Sequence, residues 1–536
     1  MDALLAFSPI LLTILLMTVF NFSAKKALPI AWLLSFVIGF VFWEMSFKTL
    51  IACTLYGFLS SLDVIVIIFG AIILMNTLRK SGGMNTINKG FMSISKDSRI
   101  QALIIGFLFV SFLEAAAGFG SPAALAAPML ISLGFPAVAA AAITLIFDSV
   151  AVSCGAVGTP IIMSLSLLNG AIDANSLASW TVFSNAIAGL LVPFIGIAIL
   201  TKVFGKEKSL KPAFAAFPFA LFTGICFSTC YVIINMLIGF EFASLLGSLI
   251  SLPIVIFAAK KGFLVPKKLW TFQEGEIDKK DAVITSSPIE DHPIGFIKAW
   301  FPYIIIAIIL LVTRIDALGL KELLQKSIFV IKFDSLFGYP ELSYHFRWAY
   351  LPGTVFILVA LITHLLHKMN HHQIKEAWTV TIKQVGSATI ALLFGVAFVQ
   401  IMRYSSLNEG GMPSMLMSMA NTLAKVGRIA YIVISPFIGV LGSFISGSNT
   451  ISNVLFTTLQ YEVATQIDLF PAAIVSMQIN GGAIGNMVCI NNAVAVCATL
   501  GIVGKEGKLI KTNVIPMILY TLLLIIVVGI GMILFT

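Results

Sequence analysis

The chain has few charged residues. Only 11% of its 536 residues are Asp, Glu, Lys or Arg, whereas soluble domains carry roughly 25%. Hydrophobic residues make up 59% of the chain, and the mean hydropathy is +1.02. A water-soluble protein of this length could not bury so much apolar surface. The composition therefore excludes a soluble globular fold and predicts a membrane protein.

Cysteine is also scarce, and motifs for enzyme chemistry are missing. The six cysteines lie within or beside apolar runs, at spacings that match no metal-binding motif. Four histidines, His364, His367, His371 and His372, fall among lysines at a helix end and are interpreted as solvated loop residues. No Gly-x4-Gly-Lys-Ser/Thr sequence occurs, so nothing supports ATP-driven pumping. We expect no enzyme activity, no cofactor and no bound metal.

The net charge of +9 does not indicate nucleic-acid binding. The lysines and arginines lie in short loops between apolar runs, where they set topology, so a loop such as Lys260–Lys268 is predicted to be cytoplasmic. The segments Asn169–Ser179 and Gln460–Asp468 carry only acidic charges and are predicted to lie outside, as are both termini. The first apolar run, Leu4–Phe20, is interpreted as a retained span, because Asp2 leaves it no basic stretch of a signal peptide.

Apolar runs follow one another along the whole chain. A helix needs about 20 apolar residues to cross a bilayer. The runs predict an all-α polytopic, multi-pass membrane protein with about 12 to 14 transmembrane helices. We divide the chain into residues 1–99 with the first spans, 100–204 with a first repeat, 205–383 with central spans and two polar loops, and 384–536 with a second repeat.

Two apolar runs are interrupted where a membrane helix should continue. One interruption is Glu114-Ala-Ala-Ala-Gly-Phe-Gly-Ser-Pro122, and the other is Gly447-Ser-Asn-Thr450 within Gly442–Asn453. Lipid cannot satisfy freed backbone groups, so irregular backbone at membrane depth is buried in protein or lines a polar cavity. Paired interruptions in two halves of a membrane protein point to the substrate site of a transporter.

The interruptions recur at nearly one spacing. Gly118-Phe-Gly-Ser121 resembles Ser446-Gly-Ser-Asn449 at an offset of 328 residues, and Gly155-Ala-Val-Gly-Thr159 resembles Gly482-Ala-Ile-Gly-Asn486 at an offset of 327. The loops around the two sets are predicted to lie on opposite sides of the membrane, since Asn169–Ser179 is predicted outside and its counterpart around Lys505 inside. This arrangement predicts two inverted repeats with broken or re-entrant helices. Lys425 and Arg428 argue against inversion, and coincidental similarity among small residues is the alternative.

Helix ends near the middle of the membrane offer unpaired N–H groups and a partial positive charge, which suit a small carboxylate. The alternative is that the small residues only ease helix packing. The predicted substrate-binding residues are Gly118, Gly120, Ser121, Gly155, Thr159, Arg403, Ser446, Ser448, Asn449, Thr450, Asn480 and Asn486. Arg403 ends an apolar run and is equally compatible with an interface anchor.

Three ionisable residues lie within apolar runs: Asp63, Glu114 and Asp148. A charge at the centre of a membrane helix is costly, so each is a candidate functional residue. Burial favours the neutral form of a carboxyl group, and a carboxyl group that changes protonation between two conformations is what proton symport requires. Glu114 and Asp148 are the predicted proton-coupling residues. A permanently protonated or paired structural role is the alternative for each.

Longer stretches resemble a known family. Phe112-Leu-Glu-Ala-Ala-Ala-Gly-Phe-Gly-Ser-Pro122, Gly155-Ala-Val-Gly-Thr-Pro160, Gly442-Ser-Phe-Ile-Ser-Gly-Ser-Asn-Thr450 and Gly501-Ile-Val-Gly-Lys-Glu-Gly507 are similar to the L-lactate permease family, which also includes glycolate permeases. The resemblance covers essentially the whole chain. It implies a symporter of the bacterial cytoplasmic (inner) membrane that carries L-lactate, and glycolate or related 2-hydroxy-monocarboxylates, together with a proton.

A shorter likeness supports an alternative. Ser448-Asn-Thr450 is similar to the hairpin tips of dicarboxylate/sodium symporters, which work as elevators, so a sodium-coupled carboxylate symporter is the second hypothesis. The expected partners are the carboxylate substrate (L-lactate), protons and the lipid bilayer, with a homodimer as the candidate assembly and no nucleic acid.

Overall fold

The computed structural model describes residues 2–20, 22–91, 94–116, 118, 121–272, 294–314, 318–502 and 504–535. Within these residues, ten helices are long and apolar enough to cross a membrane, or 11 if one bent pair counts as a span. Three shorter apolar helices accompany them: Asp2–Met17, Phe296–Ile306 and Pro352–Leu366. The predicted all-α polytopic fold is confirmed. The polar composition of Lys279–His292 predicts a mobile loop, and this segment lies outside the described residues.

The first half of the chain includes the first set of interruptions and ends with α14. Its α-helices are α1 (Asp2–Thr18), α2 (Ala24–Val41), α3 (Phe47–Ser60), α4 (Leu62–Lys80), α5 (Gly83–Phe91), α6 (Ser98–Gln101), α7 (Val110–Ala116), α8 (Ser121–Ser132), α9 (Ala137–Asp148), α10 (Gly155–Leu168), α11 (Ala174–Gly189), α12 (Val192–Ile199), α13 (Lys211–Leu237) and α14 (Phe240–Lys260). A π-helical stretch, Ala102–Phe109, joins α6 to α7, and another, Leu200–Phe204, extends α12.

The second half contains the longest helices and one small sheet. Its elements are α15 (Phe296–Arg314), α16 (Leu320–Leu324), β1 (Ile331–Phe333), β2 (Tyr344–Phe346), α17 (Pro352–Leu366), α18 (His371–Arg403), α19 (Met415–Leu423), α20 (Arg428–Ser446), α21 (Asn449–Gln466), α22 (Pro471–Gly485), α23 (Ile490–Thr499) and α24 (Glu506–Phe535). The strands β1 and β2 pair antiparallel, with Lys332 opposite His345.

The interrupted segments lie at the centre of the protein. In Ser98–Ala116 and in Pro471–Cys497, 94% of the most apolar stretch is buried inside the protein, against 33% in Ala24–Val41 and 28% in Glu506–Leu534. Helices that are apolar all round but half exposed face lipid, whereas backbone that leaves helical geometry must be enclosed by protein. The burial therefore places the breaks away from the lipid.

The polar segment between α15 and α17 packs back onto the membrane helices. Tyr344 donates a hydrogen bond of 2.7 Å from its hydroxyl to Oδ1 of Asp63 in α4, and the hydroxyls of Tyr339 and Thr49 lie 2.7 Å apart. Burial and the Asp63 carboxylate raise the pKa of Tyr344 above its usual value, so this hydroxyl stays a donor. Asp63 therefore holds the hairpin of β1 and β2 against α4.

The helices α8 and α21 follow directly after the two predicted breaks. The sequence predicts breaks at Gly118–Pro122 and Ser446–Thr450, and each break is followed by a further helix of 12 or 18 residues. Each interrupted run is thus a pair of helices joined at the break. Further on, α9 and the helix that follows it are bent by 59° to each other.

Candidate functional site

The interruptions of the two halves meet at one small cavity. The first half supplies Glu114, Gly118, Val152, Gly155, Ala156 and Pro160, and the second supplies Gly447, Ser448, Asn449, Thr450 and Asn486. The space open to the centre of a water molecule is about 20 Å³, which is room for roughly one water. A three-carbon acid is larger than this space, so the walls of the cavity must separate to admit one.

In the second half, a left-handed glycine ends one helix and a serine starts the next. Gly447 has φ 80° and donates its N–H to the carbonyl of Ser443, which closes α20. Ser448 is the N-cap of α21 and accepts a hydrogen bond of 3.4 Å from the N–H of Ile451. The hydroxyl of Ser446 donates to the carbonyl of Ser448 at 3.0 Å. Ser446 therefore shapes the turn, and it does not line the cavity.

Asn449, at the start of α21, is buried, and its amide is unpartnered. Its side chain is 3% exposed, and neither Oδ1 nor Nδ2 has a hydrogen-bond partner among the described residues. Buried amides are nearly always paired, so an unpaired one calls for an explanation. A Cβ atom on Gly482 would overlap Oδ1 of Asn449. The glycine in α22 thus leaves the space that this amide occupies.

In the first half, the chain reverses handedness between α9 and the rest of α10. Ala156, Val157 and Gly158 have φ of 41°, 56° and 74°, a left-handed conformation that is strained for the β-branched Val157. Thr159 donates its hydroxyl to the carbonyl of Ala156, and helical geometry resumes at Pro160, a residue suited to a first helical turn. A second helix start therefore reaches the cavity, where Ala156 and Pro160 line it.

Side chains of the second half hold this helix start in place. Asn453 donates a hydrogen bond of 3.2 Å from Nδ2 to the carbonyl of Pro160, and the hydroxyls of Ser164 and Thr457 lie 3.1 Å apart. Both contacts join α10 to α21. The two helix starts are thus fixed relative to each other by buried polar contacts.

Two carboxyl groups are buried in this part of the protein, and Glu114 lines the cavity. Glu114 is 3% exposed and Asp148 is 1% exposed. Oε2 of Glu114 and both carboxyl oxygens of Asp148 have no hydrogen-bond partner among the described residues. A Cβ atom on Gly155 would lie 2.5 Å from Oε1 of Glu114. Glu114 faces the break between α9 and α10, and Asp148 is the last residue of α9.

Other predicted residues are placed elsewhere. Asn480 donates to the Thr181 carbonyl at 3.1 Å and the Ser184 hydroxyl at 2.9 Å and accepts from Ser153 at 2.6 Å, so it joins helices and does not line the cavity. Gly120 lies outside the described residues. Ser121 begins α8.

Arg403 lies at the C-terminal end of α10. Its guanidinium donates to the carbonyls of Leu167 and Leu168, the second at 2.9 Å. These are the last carbonyls of α10, where a cation is stabilised by the helix dipole. Arg403 therefore caps the far end of the helix that starts at the cavity, and it does not line the cavity. Arg428 occupies the same relation to α21, since it donates to the carbonyls of Ile467 and Asp468 at 2.6 Å each.

We expect Arg403→Gln to lower thermal stability while leaving the substrate KM within about twofold. The lost capping bonds join a charged donor to buried carbonyls, worth roughly 1.5–3 kcal/mol each. The measurement is thermal unfolding of the purified protein beside transport kinetics. The matched control is Arg428→Gln, whose more exposed guanidinium should matter less. A KM rise above about tenfold, with unchanged stability, would return Arg403 to substrate binding.

Four lining residues were not among the predicted site residues: Val152, Ala156, Pro160 and Gly447. Ala156 and Pro160 reach the cavity through the left-handed turn rather than through side-chain chemistry. The signal was present, because a proline directly after Gly158-Thr159 predicts a helix start. Gly482 was predicted as part of a motif, and its function is to give Asn449 room. In the motif Gly482–Asn486, α22 continues to Gly485, and the backbone becomes extended at Cys489.

The protein is multi-pass and mainly helical, and it has a central cavity at interrupted helices. These features define the class of membrane transporters. The family model of the L-lactate permease matches residues 2–535. The chain is 31% identical over 544 residues to a putative L-lactate permease of Haemophilus influenzae, covering 96% of both chains. The chain therefore belongs to the L-lactate permease family.

Two further similarities are more distant. The glycolate permease of Escherichia coli is 26% identical over 547 residues, covering 96% of this chain and 92% of that one. Among solved structures, Neisseria gonorrhoeae MtrF, described as one of a class of antimetabolite efflux pumps, aligns with a TM-score of 0.48 and 13% identity over 90% of this chain and 83% of that one. The family membership, like the multi-pass helical fold, indicates a permease of the cytoplasmic membrane.

Proposed function

We propose that the protein is a secondary active transporter that carries L-lactate together with a proton across the cytoplasmic membrane, and that glycolate and related 2-hydroxy-monocarboxylates share its site. One observation carries the proposal. The cavity brings the buried, unpartnered amide of Asn449 at a helix start and the buried carboxyl group of Glu114 to one small space. The family membership supports the choice of substrate.

The start of α21 supplies the binding site for the substrate carboxylate. The N–H groups of Asn449 and Thr450 belong to the first helical turn and have no intrahelical acceptor. Ser448 uses its oxygen as an acceptor for Ile451, so its O–H is available to donate into the cavity. The amide of Asn449 adds a further donor and an acceptor, which suits a substrate with a carboxylate beside a hydroxyl group.

Glu114 supplies the link to protons. A substrate carboxylate and an ionised Glu114 in one small cavity would repel each other, so anion binding favours the protonated carboxyl group. By linkage, protonation of Glu114 then favours anion binding by the same free energy. Asp148, a second buried carboxyl group without a hydrogen-bond partner among the described residues, is the second proposed proton-coupling residue.

The transport cycle moves no net charge if one proton accompanies each lactate anion. The test is uptake of labelled lactate into proteoliposomes that contain the purified protein. We expect a pH gradient, acidic on the side of substrate addition, to drive accumulation without sodium, and a potassium-diffusion potential alone to drive none. Glycolate should compete strongly, and succinate weakly, because its second carboxylate would meet Glu114 and Asp148.

The sodium-coupled alternative gives the opposite result in the same vesicles. Accumulation that needs a sodium gradient, and that ignores the pH gradient, would contradict proton coupling while leaving lactate transport intact. Absence of lactate uptake under both gradients, from protein that retains its thermal unfolding transition, would contradict the assigned substrate.

A further inference from the structure

A second, larger pocket lies where four helix ends meet, far in the chain from the breaks. We call it the basic pocket, and it is lined by Ser81, Ile294, Gly295, Lys298, Leu366, His367, Lys368, Asn370 and Gln373. Its volume is about 400 Å³, against about 20 Å³ for the central cavity. These residues come from the ends of α4 and α17 and from the starts of α15 and α18.

The His367 side chain connects three of the helix ends that form the basic pocket. His367 lies 2.8 Å through Nδ1 from the hydroxyl of Ser81 and 2.9 Å through Nε2 from the carbonyl of Lys298. One imidazole thereby joins α4, α15 and α17. At the rim, Asn370 and Gln373 form the capping box of α18, in which each side chain bonds the other residue's backbone N–H. The shape of the pocket is therefore built from satisfied polar groups.

The basic pocket has an excess of positive charge. Lys298 and Lys368 line it with exposed side chains. In the part of the chain that the structure describes, none of its lining residues is acidic and neither lysine forms an ion pair. The nearby Glu376 is held by Lys80. Burial lowers the pKa of His367, its bond to the Lys298 carbonyl opposes that shift, and the Lys298 ammonium adds to it. The pocket is thus arranged for an anion.

Large, exposed apolar side chains are neighbours in the chain of the residues that line the pocket. Phe296 and Ile297, next to Lys298, are 58% and 76% exposed, and Leu365, next to the lining residue Leu366, is 83% exposed. In a membrane protein such side chains face acyl chains. Lysines at the ends of membrane helices on the cytoplasmic side lie at the depth of lipid head groups. A ligand with a charged head and apolar tails matches this surface better than a soluble anion does.

We propose that the basic pocket binds the phosphate head group of an anionic phospholipid from the cytoplasmic leaflet, with the acyl chains along Ile297 and Leu365. Lys298 and Lys368 meet the phosphate as point charges. The lining of the basic pocket shares no residue with the lining of the central cavity.

The test is a binding titration of the full-length protein, purified in neutral detergent, with phosphatidylglycerol, phosphatidylcholine and inorganic phosphate as probes. We expect phosphatidylglycerol to bind with a saturable rise in unfolding temperature and phosphatidylcholine to give none. The variant Lys298→Gln/Lys368→Gln should bind phosphatidylglycerol roughly thirtyfold more weakly, because each lysine contributes about a factor of five. The matched control, Lys260→Gln/Lys261→Gln, removes two lysines of another predicted cytoplasmic loop and should change affinity by less than about threefold.

Equal binding of the two lipids, or equal weakening by the two double variants, would overturn the proposal. Saturation by inorganic phosphate at concentrations where phosphatidylglycerol does not bind would overturn the lipid assignment and identify a soluble phosphate compound as the ligand. Should the double variant fail to fold, each single variant is expected to lose about fivefold, and single variants that lose nothing would contradict the site. Lactate uptake by the variants serves as the check that their fold is intact.

Discussion

Glu114→Gln is expected to abolish uphill lactate uptake while leaving lactate exchange measurable. Glutamine keeps the size of the side chain and its position beside Gly155, but it can neither release nor take up the proton that proton coupling requires. Since glutamine is neutral, it resembles the protonated state that favours anion binding. Lactate should therefore still bind and cross in exchange for lactate. The measurement compares pH-driven accumulation with counterflow in the same proteoliposomes.

The matched control for this prediction is Glu207→Gln. Glu207 is an exposed carboxylate in the loop before α13, so its replacement should leave both accumulation and exchange unchanged. Loss of both activities in Glu114→Gln, at normal expression in the membrane, would instead favour a substrate-binding role for Glu114. Unchanged uphill uptake would remove Glu114 from the coupling scheme.

Asn449→Leu is expected to raise the KM for lactate about 10- to 100-fold, because a hydrogen bond to a charged group contributes roughly 1.5–3 kcal/mol. The same change should leave the unfolding temperature unchanged or raise it. The amide of Asn449 is buried without a partner, and replacing such a group by an apolar one of similar shape removes a desolvation cost. Transport kinetics and thermal unfolding measured together separate binding from folding. A lower unfolding temperature with an unchanged KM would contradict the role of Asn449.

Gly482→Ala tests the same contact from the opposite helix. The added methyl group would overlap Oδ1 of Asn449, so the amide must move and lactate affinity should fall in the same direction as in Asn449→Leu. The matched control is Gly529→Ala in α24, where an added Cβ atom meets nothing within 4 Å. Equal behaviour of the two alanine variants would show that the space beside Asn449 is not needed.

The sequence alone predicts the membrane class, because 59% hydrophobic residues with 11% charged residues leave no soluble alternative. It also predicts the two breaks, since Gly447 and Pro122 interrupt apolar runs that otherwise continue. Glu114 follows from the same reasoning, as an ionisable residue at the end of such a run. The inverted relation of the two repeats, the four regions of the chain and a homodimeric assembly stay predictions.

Long-range contacts decided the rest. Arg403 and Asn480 carry polar groups of the expected kind, yet Arg403 caps α10 and Asn480 is saturated by Thr181, Ser184 and Ser153. Whether a polar side chain lines a cavity or joins two helices depends on which helix faces it. That information is held in contacts between residues about 235 to 330 positions apart.

The features that can be predicted from the sequence are local ones: where membrane helices form, where they break, and which few residues could carry charge or hydrogen bonds at that depth. Hydropathy and backbone preferences act over short stretches of chain, so they can be read from short stretches of sequence. The folded structure was needed to show that the starts of α21 and of the helix after Gly158 face the same space as Glu114. That arrangement arises from the packing of one half of the chain against the other, because the helices must bury the polar backbone of both breaks together, away from lipid.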